Sequence, residues 1–149
     1  MVVLRHPRLA MLQFELFASV PCPPEKLWDL VGDPDRLWEW TDAEALAVRP
    51  EPPVAVGSRF ATVEAGRRLG WVVITCQDHL WEAKTDDSHC GRLGIGVRVA
   101  PDAHGSRLVL AGMLEPAGSL LRARLVDVPR LRARLDRWSA AATGLGASG

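Results

Sequence analysis

The stretch VPCPPEKLWDLVGDPDRLWEWTD, residues 20–42, holds four prolines and three tryptophans and separates one strand pattern from the rest of the chain. Pro24 suits the first turn of a helix, where a missing N–H leaves no hydrogen bond unmade. We predict that Gly32 ends this helix with a positive φ and that Asp33 caps a second helix beginning at Pro34. The stretch therefore predicts two short helices in succession.

Strand patterns lie on both sides of these helices. Residues 12–20, LQFELFASV, alternate apolar and polar side chains, which indicates a half-buried strand. Six more strand patterns follow between residues 44 and 114, and the short turns between them favour antiparallel pairing. After Pro116 the apolar residues recur at three- and four-residue steps. This spacing predicts an amphipathic helix of about 25 residues with a break near Pro129.

Composition restricts the class of protein. The 149 residues suit a single domain, and 18 basic against 18 acidic residues give no long-range attraction to nucleic acid or an anionic bilayer. No apolar run is long enough to span a membrane, and three cysteines do not suggest a disulfide framework. We therefore expect one cytoplasmic domain over residues 1–149, with a loose extension at 1–10 and a frayed tail at 143–149.

The order of these elements resembles a known family. Leu27–Trp28, Asp33–Pro34 and Trp40, together with DAHGSRLVL at residues 102–110, are similar to the polyketide cyclase/dehydrase and lipid-transport family of the START-like superfamily. The resemblance covers residues 12–142. It implies an α+β helix-grip fold, in which a curved antiparallel sheet of about seven strands wraps around a long C-terminal helix. Members bind lipids, sterols, plant hormones or polyketides, and some catalyse cyclisation.

The implied fold encloses a pocket between the inner sheet face and the long helix. Such pockets are mostly apolar, with a few aimed polar groups. Six tryptophans and no tyrosine favour an aromatic wall, although these side chains can equally fill the core. The residues that we expect to line the pocket are Trp40, Phe60, Trp71, Val73, Trp81, Ile95, Leu110, Leu121 and Leu125.

Acid–base chemistry in the pocket requires a titratable or polar side chain that points inward. The candidates are Glu82, Glu64 and Thr75. If Trp81 points inward, strand alternation places Glu82 at the surface. We favour this arrangement because a buried unpaired charge is costly.

Histidine and cysteine side chains do not predict a metal site. Cys76 and His79 flank one end of a predicted strand, and His89 and Cys90 follow its other end, about 20 Å away. The chain also lacks dinucleotide-binding and phosphate-binding glycine motifs. We therefore predict no metal and no cofactor.

Three functions remain open from the sequence. The first is binding of a hydrophobic or amphipathic small molecule, lipid or polyketide-like, between the sheet and the C-terminal helix. The second is a polyketide cyclase or aromatase acting on a chain held in the same pocket. The third is an interaction module, with a homodimer left open, that uses the arginines of the last helix: Arg122, Arg124, Arg130, Arg132, Arg134 and Arg137.

Overall fold

One antiparallel sheet forms the centre of the computed structural model, which describes residues 11–87 and 91–148. Within those residues it has seven antiparallel strands, as the sequence predicts, and their order in the sheet is β1-β7-β6-β5-β4-β3-β2. Strands β1 and β2 form the two edges. The strands are β1 (Leu12–Val20), β2 (Ala45–Val48), β3 (Arg59–Glu64), β4 (Arg67–Gln77), β5 (Leu80–Asp87), β6 (Gly91–Asp102) and β7 (Gly105–Pro116).

The two short helices lie between β1 and β2. Helix α1 (Pro24–Val31) is followed by a 3-10 turn (Pro34–Arg36) and by α2 (Leu37–Trp40). The backbone N–H of Asp35 donates to Asp33 Oδ1 over 2.9 Å, which confirms the predicted cap.

The prediction for Gly32 is wrong, because its φ is −81° rather than positive. A Cβ at this position would lie 2.3 Å from Cε2 of Trp28. The helix therefore ends in a glycine because the Trp28 ring folds back over it, not because the backbone turns left-handed. That ring also stacks on His79, with 5.3 Å between the ring centroids.

The C-terminal helical segment spans 28 residues as α3 (Leu120–Arg122), a π-helical turn (Ala123–Asp127) and α4 (Val128–Ala147). The π turn precedes Pro129, where the sequence predicts a break, because proline has no N–H to bond the carbonyl one turn earlier. Helix α4 continues to Ala147, beyond the point where the sequence predicts fraying. Gly146 is buried there, and a Cβ on it would lie 2.8 Å from Cγ1 of Val20.

Strand alternation divides the sheet into an inner face under the helices and an outer face. In β5 the buried Trp81 and Ala83 point inward, as predicted, so Glu82 points outward. The β4–β5 register shifts between Val73 and Thr75, which pairs Thr75 with Glu82 on the outer face. The core lies between the inner face and helices α1, α2 and α4.

Candidate functional site

Aromatic rings occupy the inner face where the sheet meets the helices. Phe60 stacks on Trp71 with 6.2 Å between centroids and meets Trp81 edge-on at 6.3 Å. Trp40 and Trp138 form a second perpendicular pair at 6.2 Å. All five side chains belong to one buried cluster and are at most 4% exposed. The interior between sheet and helix is therefore aromatic and closed to water in this conformation.

Three polar atoms inside this apolar region have no hydrogen-bond partner among the described residues. They are the indole Nε1 atoms of Trp40 and Trp138 and the hydroxyl Oγ1 of Thr85. A buried polar group without a partner costs about 1–3 kcal/mol. Polar atoms of this kind can offer hydrogen bonds to a molecule that enters the interior.

The carboxyl group of Glu64 lies on the same inner face of the sheet, at the edge of the aromatic cluster. Glu64 ends β3 with its side chain only 11% exposed, and Arg134 of α4 donates a hydrogen bond to its Oε1. Thr62 Oγ1 donates to Glu64 Oε2 over 3.3 Å and accepts from Trp71 Nε1 over 3.0 Å. A chain of polar contacts thus joins α4 to β3 and β4 at the edge of the aromatic cluster.

Burial raises the pKa of Glu64 above its ordinary value of 4.5. The positive charge of Arg134 and the Thr62 hydrogen bond lower this pKa, and the negative charge of Asp42 raises it again. Arg134 is shared, because its Nε also lies 3.4 Å from Asp42 Oδ2, and Arg137 reaches the same oxygen at 3.2 Å. Glu64 is therefore a desolvated carboxyl group whose net shift favours the protonated form.

A cavity of about 470 Å³ opens beside Glu64, between the β3–β4 hairpin and α4. We call it the Glu64 groove. Five of the seven residues that line it carry a charge, and Leu69 is a buried apolar residue among them. The residues that line it are Asp42, Glu44, Glu64, Ala65, Arg67, Leu69 and Arg134.

The residues proposed from the sequence as pocket lining fall into two groups. Seven are buried in the core and at most 4% exposed, namely Trp40, Phe60, Trp71, Val73, Trp81, Ile95 and Leu110. Leu121 and Leu125 lie on α3 and the π turn and are each 67% exposed. Their role as ligand contacts stays a prediction.

Of the three acid–base candidates, Glu64 lies on the inner face, and Glu82 and Thr75 lie on the outer face. Sequence reasoning did not select Arg134 as a partner for Glu64. The available signal was its position four residues before Trp138 on the apolar stripe of α4, which turns both side chains toward the sheet. Arg134 lies over the Trp138 ring, 5.2 Å from its centroid.

Arg134 therefore does not belong to an exposed interaction surface, although it is one of the six arginines that the sequence suggested for that role. The remaining five are exposed, at positions 122, 124, 130, 132 and 137.

Metal-ligating side chains do not gather in residues 11–87 and 91–148, where no three of His, Cys, Asp or Glu are placed to hold an ion. His89 and Cys90 lie outside the described residues. Within that same part of the chain, no helix combines the length and apolarity needed to cross a membrane.

The fold and the matched sequence identify the family. The chain belongs to the polyketide cyclase / dehydrase and lipid transport family, whose model matches residues 11–142. Membership in this family indicates hydrophobic ligand binding or polyketide cyclase activity. No curated protein matches the sequence.

Solved structures share the fold at low sequence identity. The di-domain ARO/CYC StfQ of the steffimycin biosynthetic pathway is 13% identical with a TM-score of 0.76, covering 95% of this chain and 52% of StfQ. Ara h 8.0201 is 15% identical at 0.70, covering 94% of this chain and all of that one. Protein MLL2253 from Mesorhizobium loti is 18% identical at 0.68, covering 90% and 96%. These likenesses establish the helix-grip fold and nothing further.

Proposed function

We propose that this protein binds a hydrophobic or amphipathic small molecule between the sheet and the C-terminal helix, with the polar end of that molecule in the Glu64 groove. The observation that carries this proposal is Glu64 itself, a desolvated carboxyl group on a face that is otherwise aromatic and aliphatic except for Thr62 and Thr85. A protein that needed only a filled core would gain more from an apolar side chain at this position. The Glu64–Arg134 pair offers both an acceptor and a donor to a ligand.

The apolar part of the ligand would lie against the aromatic cluster. Burial of apolar surface contributes about 25 cal/mol per Å², so about 200 Å² would contribute about 5 kcal/mol before ordering costs. The unpartnered indole N–H groups of Trp40 and Trp138 add hydrogen-bond donors for a carbonyl or hydroxyl oxygen. The interior therefore suits a molecule with an apolar body and a few oxygens.

Access requires the helix to move, because the aromatic side chains are closed to water. The segment 120–127 is suited to such movement, since Ala123 is its only buried residue and a π turn interrupts its hydrogen bonding. Leu121 and Leu125 project from this segment into solvent. On our proposal they rotate toward the ligand when the segment closes over it.

Polyketide cyclisation is the second candidate, and the raised pKa of Glu64 favours it. A carboxylate at this position would remove a proton from a carbon flanked by carbonyl groups. That carbon would bond to a carbonyl carbon of the same chain, and the resulting alkoxide would take up the proton. Arg134 would stabilise the negative charge that develops on oxygen.

Native mass spectrometry of the freshly purified chain tests the binding proposal, followed by titration with long-chain fatty acids and polyphenols. We expect a bound small molecule, or saturable binding that Glu64→Gln weakens about tenfold. Glu82→Gln is the matched control, because it removes the same charge from the outer face and should leave binding unchanged. A bare mass together with no binding across the panel contradicts the proposal.

An assay with a linear poly-β-ketone thioester distinguishes a binding protein from a cyclase. Mass spectrometry detects the loss of water that accompanies cyclisation. A cyclase should form the cyclised product, and Glu64→Gln should slow it at least about 100-fold while the chain still binds. Binding without any product supports a binding protein alone.

A further inference from the structure

A second concavity lies on the outer face of the sheet, away from the Glu64 groove. It has a volume of about 710 Å³, and we call it the outer groove. Residues of β2 to β6 border it, among them Phe60, Trp71 and Thr85, whose side chains point to the inner face. The lining residues are Val48, Arg59, Phe60, Ala61, Arg68, Gly70, Trp71, Val72, Ile74, Lys84, Thr85 and Arg92.

The hollow exists because two small residues meet at its floor. Ala61 of β3 pairs directly with Gly70 of β4, and strand alternation places both residues on the outer face. A Cβ added to Gly70 would meet nothing within 4 Å. Val72 and the exposed Ile74 continue the floor along β4, so the surface that a ligand would touch is apolar.

Positive charges surround this apolar floor. Arg59 and Lys84 flank Val72 in one row across β3, β4 and β5, about 10 Å apart at a spacing of 4.8 Å per strand. Arg68 is four residues from Val72 along β4, about 13 Å away. Within residues 11–87 and 91–148 none of these three cations has an ion-pair partner, and no carboxylate lines the groove.

We propose that the outer groove binds an amphipathic anion: a small molecule whose apolar ring or short chain lies on Gly70, Val72 and Ile74 and whose carboxylate, sulfonate or phosphate lies between Arg59 and Lys84. The volume falls in the range of small-molecule sites, about 300–1,000 Å³. A concave floor of this size fits a small aromatic ring system and does not fit a flat bilayer. The chain is neutral overall, so this attraction is local rather than a property of its net charge.

Amide NMR titration of the full chain tests this site with naphthalene-2-sulfonate as the probe and 2-naphthalenemethanol as its neutral analogue. We expect saturable shifts at the amides of Ala61, Gly70 and Lys84. The neutral analogue should bind about tenfold more weakly. Added salt should weaken only the sulfonate, because exposed charges are screened.

Two variants and one control locate the interaction. An added Cβ at Gly70 meets nothing within 4 Å, and valine suits a strand, so Gly70→Val should fill the floor and weaken sulfonate binding at least about tenfold while the protein stays folded. Lys84→Gln should weaken binding about 3–10-fold. Arg98→Gln removes the same charge from an exposed position on β6 outside the groove and should change nothing.

Failure of the outer-groove proposal can be distinguished from failure of the proposed binding site inside the protein. Glu64→Gln should leave sulfonate binding at the outer groove intact, whatever it does to the molecule bound inside. Absence of saturable shifts at millimolar probe overturns the proposal. So do shifts that centre on Glu64 and Arg134, or shifts that Gly70→Val does not reduce.

Discussion

Replacing Glu64 with glutamine turns a desolvated carboxyl group into a neutral amide of nearly the same shape. The glutamine oxygen can still accept a hydrogen bond from Arg134, so the substitution chiefly removes the ability to ionise. Burial raises the pKa of Glu64, and the charge of Arg134 opposes that rise without cancelling it. The ionisation of Glu64 should therefore make the free energy of unfolding depend on pH.

Between the unfolded and the raised folded pKa of Glu64, the native state holds a proton that the unfolded state has released. Stability therefore falls as pH rises through this window, which begins at about 4.5. Below the window both states are protonated, and above it the loss is complete. Relative to Glu64→Gln, the wild-type protein should lose about 1.4 kcal/mol for each unit by which folding raises the pKa.

Urea unfolding from mildly acidic to mildly basic pH measures this difference. We expect the free energy of unfolding of Glu64→Gln to rise relative to wild type as pH increases, and that of Glu82→Gln to follow the wild type. The opposite trend, in which wild type gains on Glu64→Gln with rising pH, would mean that attraction to Arg134 outweighs desolvation. That result would refute the reasoning and remove Glu64 as an acid–base candidate.

Three other substitutions test how the site is held. Trp81→Phe removes the hydrogen bond from Nε1 to the buried carbonyl of Val31 (2.8 Å) and leaves a small void, so unfolding by urea should show a loss of about 2–4 kcal/mol. Gly32→Ala forces its Cβ against Trp28 and should cost about 1–3 kcal/mol in the same assay. Leu125→Ser should change stability by less than about 0.5 kcal/mol, because the side chain is exposed, yet weaken binding of the molecule found by mass spectrometry.

Local patterns in the sequence predict the fold, but they predict the candidate site only in part. Period-two alternation and short turns predict the antiparallel strands. Alternation together with the cost of burying the charge of Glu82 favours a buried Trp81, which the structure shows. Alternation does not predict the register shift that turns Thr75 outward, because a bulge of one residue leaves no clear mark in composition. The positive φ expected at Gly32 was wrong for a related reason. Glycine is favoured where a neighbouring group approaches the backbone closely as well as where the backbone turns left-handed. At Gly32 only the position of the Trp28 ring shows that the first reason applies.

The pairing of Glu64 with Arg134 shows where sequence reasoning ends. The two residues are 70 positions apart, and their contact depends on how far α4 extends across the sheet and on which side of the helix faces β3. Helical spacing places Arg134 near the apolar stripe but equally allows it to snorkel to solvent. The carboxylate that keeps it inward is visible only once the strands are in register.

The β3–β4 hairpin supports both proposed sites, and strand alternation is the reason that they are separate. Phe60 and Trp71 point inward to the aromatic cluster, while their neighbours Ala61 and Gly70 point outward to the floor of the outer groove. Large residues on one face and small residues on the other make a packed interior and an external hollow from the same backbone. A ligand in one site therefore meets side chains that the other does not use. If occupancy of one site alters affinity at the other, the coupling must pass through the backbone of these two strands, and Gly70→Val is the substitution that would reveal it.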